Sequence, residues 1–188
     1  MNYSEKYALK AEENLATEYK NLNARARVSH VQKSISPEKL AEAAKDTSRL
    51  VRVAVAKNFR TSPSVLENFW HNEKTSSITE ALAGNSSTPV YILEIFCSDA
   101  RKQIWRKAFN NRSTPFSAIV EATRKTGDPT RAVVVRDMLF KKPDGISVAF
   151  NCLLEAGWVT DINTFRGLPD NVIYTYFYEW LTDVTETS

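Results

Sequence analysis

His30, His71, Cys97 and Cys152 are the residues of this 188-residue chain best suited to bind a metal or to act as a base or nucleophile. A general base must sit within hydrogen-bond reach of a partner, and a zinc site needs three or four ligands at short spacings. Neither histidine has a second ligand at helical spacing, and each cysteine stands alone among apolar neighbours. The chain has no H-E-x-x-H, no G-x-S-x-G and, with five glycines in all, no Gly-rich phosphate loop. Carboxylates such as Glu12 with Glu13, or Glu38 with Glu42, have the spacing of helix surfaces. The expectation is reduced, buried thiols, histidines in surface or capping roles, and no catalytic residue, metal or cofactor.

Charge carries more information. The net charge is only +3, yet residues 100–142 hold eleven Lys/Arg against three Asp/Glu, and residues 143–188 hold one, Arg166, against seven acids. A basic segment followed by an acidic one marks Arg101, Lys102, Arg106, Arg124, Lys125, Arg131 and Arg136 as candidate partner contacts. The competing reading is a solvated face whose arginines pair with nearby acids, Arg52 with Asp46 for instance.

The elements that must position these side chains repeat. Prolines stand at 37, 63, 89 and 115, each 26 residues after the last, and then at 143 and 169. Ser36, Ser62, Thr88 and Thr114 precede the first four. A hydroxyl N-cap before a proline is a helix start, because the oxygen accepts an orphan N–H and proline presets φ where no donor is needed. Apolar residues follow at helical spacing, as in Leu66 with Phe69 and Ile92 with Phe96. A second block precedes each new proline: "VRVAVAKN" (51–58), "ITEALAGN" (78–85), "IWRKAFNN" (104–111) and "TRAVVVRD" (130–137). Its small residues, Ala54, Ala81 and Ala108, predict a close-packed inner helix despite the alternating valines of the first copy. The closing Asn58, Asn85, Asn111 and Asp137 suit a left-handed C-cap or a turn. Asp46, Glu73 and Asp99 recur ahead of the blocks.

"VRVAVAKNFRTSPSVL" (51–66) resembles the leucine-rich repeat variant, whose unit runs roughly V-R-x-A-V-A-x-N-x-x-T-P-x-x-x-L. The match is good at Val51, Arg52, Ala54, Val55, Ala56, Asn58, Pro63 and Leu66, partial over 78–93, weaker over 104–115 and faint after 137. The resemblance implies a right-handed superhelix of paired helices, similar in form to HEAT-like repeats, acting as a scaffold. The unit here is longer than the family's, and no cysteine precedes Cys97, so no iron–sulfur cluster is carried over.

These readings together predict an all-α chain, a right-handed α-solenoid of about five to six repeats of ~26 residues. Residues 1–34 are expected as an N-terminal capping helix (3–24) and linker, 35–143 as four repeats, and 144–188 as a degenerate repeat with a closing helix. First helices should begin near 37, 63, 89, 115 and 145, and second helices cover 50–57, 77–84, 103–110 and 130–140. The aromatic closing helix, about 170–182, offers a dimer contact, and the final "TDVTETS" should fray. The polar N-terminus and the lack of an ~18-residue apolar run point to a cytoplasmic protein without a membrane span.

Two functions of different class follow. The first is a non-catalytic adaptor or inhibitor that grips a protein partner with an acidic surface. The second is sequence-nonspecific nucleic-acid binding along a basic groove. A HEAT-like DNA alkylpurine glycosylase is the least favoured reading: "WRKAFNN" (105–111) offers Trp105 with Arg106 and Lys107, but no Asp-plus-aromatic pocket can be assembled.

Overall fold

The computed structural model describes Tyr19, residues 21–34 and residues 36–183. Among these residues there are twelve helices and no strand. The expected capping helix at 3–24 and the tail 182–188 that was expected to fray lie largely outside the described residues, although Thr182 still belongs to the last helix. The chain divides into two compact units, Met1–Ser87 and Thr88–Ser188.

The first unit contains α1 (Ala24–Lys33), α2 (Pro37–Ala43), α3 (Arg49–Lys57), α4 (Pro63–Asn72) and α5 (Ser76–Gly84). In α3 the alternating valines are helical. Val51 and Val55 lie one turn apart on the buried side, and Ala54 and Ala56 complete it. The small alanines let α1 and α5 approach α3 directly, so the three inner helices stack. Pro37 and Pro63 each occupy the first turn of their helix, and Leu40, Leu66 and Phe69 bury the inward stripe.

Helix α1 corrects one expectation: the segment read as a linker to 34 is a helix from Ala24 to Lys33. Asn23 caps it by accepting from the Ala26 N–H at 3.0 Å, and Val31 is buried. It packs on α3, and its Arg27, 25 residues before Arg52, forks onto an acid as Arg52 does.

The second unit contains α6 (Val90–Cys97), α7 (Lys102–Asn110), α8 (Phe116–Thr126), α9 (Pro129–Met138), α10 (Gly145–Glu155), α11 (Ile162–Arg166) and α12 (Asp170–Thr182). The starts of α6, α8 and α10 and the extents of α7 and α12 agree with expectation within a residue or two. The short α11, capped by Asp161 through the N–H groups of Asn163 and Thr164, was not expected. Helix α6 packs on α7 and α8, while α9 packs on α8 and α12. Aromatic and aliphatic side chains fill this core, among them Phe96, Phe109, Phe116, Ile119 and Phe177. Gly145 opens α10 against the Leu139 carbonyl, where a Cβ would clash with backbone.

The closing asparagines hold extended backbone, with φ of −73° at Asn58, −88° at Asn85 and −71° at Asn111, so the left-handed cap is ruled out. Each one instead accepts from the N–H two residues on, at Arg60 (2.9 Å), Ser87 (2.9 Å) and Ser113 (3.0 Å). The side-chain amide then points to the preceding repeat. Asn58 Nδ2 donates to Val31 O (2.7 Å) and Ser34 O (3.1 Å), and Asn85 Nδ2 to Ala56 O (2.8 Å) and Asn58 O (2.9 Å). The amides add a second donor to the Val31 and Asn58 carbonyls, which also accept from the Ser34 and Thr61 N–H groups, and they supply a donor to the Ser34 and Ala56 carbonyls.

The hydroxyls differ from expectation as well. Ser36 caps α2 by accepting from Lys39 N, but Ser62 makes no such bond. Thr114 donates backwards, to the Ala108 carbonyl at 2.7 Å, and Thr61, rather than Ser62, does the same to Val55 at 2.6 Å. Both threonines stand three residues after the asparagine. The structural signature is therefore N-x-x-T, visible as "NFRT", "NSST" and "NRST", with the proline position free to slip by one residue.

Candidate functional site

The arginine–acid ladder forms next. Asp46 accepts from the Ser48 N–H at 2.7 Å and Asp99 from the Arg101 N–H at 2.8 Å, so each acid braces the turn into an inner helix. Arg27 then forks onto Asp46 (2.7 and 3.1 Å), and Arg52 onto Glu73 (2.7 and 2.9 Å). The expected partner of Arg52 was Asp46. Arg52 does reach that residue, but at its backbone carbonyl (2.8 Å), with Thr47 O at 3.0 Å. Burial opposes ionisation of Asp46. The bonds from Arg27 and the Ser48 N–H outweigh it and hold the carboxyl below its usual range. The hollow lined by Tyr19, Arg27, Glu42, Lys45 and Asp46 is thus built around a structural ion pair.

The seven candidate contacts separate in space and in role. Arg131 is 4 % exposed. It donates to Cys97 O (2.6 Å) and Asp99 O (2.7 Å), lies 5.1 Å from the Trp105 ring centre, and keeps its Nε 3.5 Å from Asp128. A guanidinium so enclosed fastens α9 to the C-terminal end of α6 and to α7. It is not a surface contact, and its inclusion in the basic face is corrected. Arg101 forks onto Asp99 (3.0 and 2.7 Å), and Arg136 binds Asp137 (2.9 Å) while lying over Tyr178 at 5.4 Å. Arg124 stacks on Trp180 at 4.1 Å.

Lys102 and Arg106 are exposed and share a stripe of α7 at i, i+4. Arg106 lies 5.5 Å from the ring of Trp105, which is itself buried. Lys125 is exposed on α8. Lys107 and Arg112 are exposed near the α7 stripe and were not among the seven.

The aromatic excess of α12 is absorbed within its own unit. Tyr174 meets Phe140 (4.8 Å), Tyr176 meets Trp158 (5.8 Å), and Phe177 meets both Phe116 (6.0 Å) and Trp180 (5.9 Å). Of these α12 side chains Phe177 is buried, and Tyr174, Tyr176 and Trp180 are half-buried.

His30 and His71 are exposed, and among the described residues no three metal-binding side chains converge. Burial pushes the Cys97 thiol up to about 12 and the Cys152 thiol to about 11, so both are protonated at neutral pH and poor nucleophiles. No helix among the described residues is long and apolar enough to cross a membrane. Compared with known proteins, the chain matches no family model, no curated protein and no solved structure.

Proposed function

We propose that this chain is a non-catalytic scaffold of the leucine-rich repeat variant type, a right-handed helical-repeat array that binds another protein. One observation carries the reading. The polar residues that recur with the repeat, Asn58, Asn85, Thr61, Thr114, Arg27 and Arg52, all bond to the protein's own backbone and acids. Recurring chemistry therefore serves the array, and recognition falls to side chains that vary between repeats.

Of the basic segment, Arg101, Lys102 and Arg106 at the start and exposed stripe of α7 are the contacts offered to a partner with an acidic surface. Arg124 on α8 and Arg136 on α9, each lying over an aromatic ring of α12, and the exposed Lys125 on α8 are further contacts offered to such a partner. Arg101 and Arg136 are already paired with Asp99 and Asp137, so any anionic partner must compete with those acids, and Lys102 and Arg106 are the more available cations. Two cysteines, neither in a disulfide, fit a reducing compartment such as the cytoplasm.

The test is an anisotropy titration against random duplex and single-stranded DNA at low and physiological salt, beside Lys102→Glu/Arg106→Glu. The expected result is weak DNA binding that vanishes at physiological salt. Tight duplex binding there, with a log–log salt slope of roughly −0.9 per phosphate neutralised, would replace the protein reading with the nucleic-acid one.

A further inference from the structure

The two most exposed large apolar side chains among the described residues lie in and just after α3: Leu50 at 60 % and Phe59 at 64 %. The fold does not require them. Counting from the closing asparagine of each repeat, Leu50 corresponds to Ser77 and Gln103, and Phe59 to Ser86 and Arg112. The same structural places accept polar side chains elsewhere in the chain, so apolar character here answers to something other than packing.

The neighbourhood is basic. Arg49 and Lys57 are exposed, and neither has a carboxylate partner among the described residues. Arg60 lies over the Phe59 ring at 5.0 Å. Leu50, Val53 and Lys57 follow one another at i, i+3, i+7 on a single stripe of α3, roughly 10 Å long. Two apolar anchors framed by three cations complement a short segment with the reverse pattern: large apolar side chains flanked by Asp or Glu.

We infer that this face of α3 and its following turn is a docking site for a short acidic segment of a partner protein, with Leu50 and Phe59 as apolar anchors and Arg49, Lys57 and Arg60 as the charge frame. The inference rests on the scaffold reading, but on residues other than those of α7.

Random 12-residue peptides displayed on phage are selected on the full chain. Enriched sequences are then measured by fluorescence anisotropy against the wild type, Leu50→Ser/Phe59→Ser, Arg49→Glu/Lys57→Glu and Lys102→Glu/Arg106→Glu. Serine is the residue found at the equivalent places 77 and 86, and the charge variant keeps a readout if the serine variant fails to fold. The expected peptides are acidic with at least one large apolar side chain, and they lose at least about tenfold in affinity on the first two variants. They keep full affinity for the third. Basic peptides, or acidic ones that bind both α3 variants as tightly as the wild type, overturn the inference. Peptides weakened only by the α7 variant overturn it while leaving the scaffold reading intact. No enrichment at all removes both. A concentration-dependent dimer in sedimentation that Leu50→Ser/Phe59→Ser abolishes would make the occupant a second copy of the chain. Displacement of the peptide by a 20-base-pair duplex would make it nucleic acid. Either result overturns the partner-protein assignment.

Discussion

The Nζ of Lys142 donates to the carbonyl of Asn111 at 2.9 Å and to that of Thr114 at 3.2 Å. An asparagine amide does the equivalent work earlier in the chain, where Asn85 reaches the Asn58 carbonyl at 2.9 Å. The 26-residue count had placed the next closing residue at Asp137, but that side chain is exposed and turned to Arg136. A longer cationic side chain, 31 residues downstream of its acceptor, takes over the position.

Lys142→Ala should therefore cost about 1–3 kcal/mol, since two charge-assisted bonds to carbonyls are lost, whereas Asp137→Ala should change stability by less than about 0.5 kcal/mol. Chemical denaturation of the two variants decides the assignment. Equal losses would show that Lys142 does not hold the place.

At the other end of the ladder, Asn58→Asp should be more damaging than Asn58→Ala. Alanine removes the donor to the Val31 and Ser34 carbonyls, at about 1–3 kcal/mol. Aspartate keeps the acceptor for the Arg60 N–H but turns a negative charge toward those same carbonyls. Melting temperatures should fall in the order wild type, Ala, Asp, and an Asp variant as stable as wild type would contradict a donating amide.

Thr114→Val keeps the volume and removes the buried hydroxyl that bonds the Ala108 carbonyl. It should lose about 1–2 kcal/mol. Ser62→Ala, at a residue that makes no side-chain cap bond to α4, should be nearly neutral in the same denaturation series. If the hydroxyls before the prolines were simple N-caps, the two would cost alike.

The Arg27–Asp46 pair gives a pH signature with a definite sign. The Asp46 carboxyl is held below its usual range in the folded state, so the unfolded chain binds the proton more readily. Its contribution is fully present above the ordinary carboxylate range of about 3.9, and is lost as pH falls through the folded value. Asp46→Asn should be less stable than wild type at pH 7, with the gap closing in acid. A gap of constant size from pH 7 to pH 2.5 would exclude the linkage.

Arg131 and Lys102/Arg106 should part company in two assays. Arg131→Ala removes donors to the Cys97 and Asp99 carbonyls and the stack on Trp105, and should cost roughly 2–4 kcal/mol in thermal or chemical unfolding. Lys102→Glu/Arg106→Glu should leave stability within about 1 kcal/mol. A stable Arg131→Ala protein would return that residue to the list of surface contacts.

The helices were legible in the sequence because their signals are local. Pro63 at a first turn, Leu66 with Phe69 on one stripe, and Ala54 between Val51 and Val55 each act within one or two turns of their own backbone. The N-x-x-T signature was equally present in "NFRT", "NSST" and "NRST", but alignment on the prolines hid it by one residue. Helix α1 was concealed in the same way, its Arg27 standing 25 residues before Arg52 in a stretch without a proline start.

What only the tertiary structure decided is where the polar side chains go. Asn58, Asn85, Arg131 and Lys142 reach backbone carbonyls 24 to 34 residues away. Every residue carries a carbonyl with two lone pairs, so no residue type marks the acceptor, and a donor's target emerges only when packing brings a carbonyl within hydrogen-bond reach of it. The same holds for charge. Composition drew eleven cations together in one segment, and only the fold separated the enclosed Arg131 and the acid-paired Arg101 from Lys102 and Arg106, which remain open to solvent.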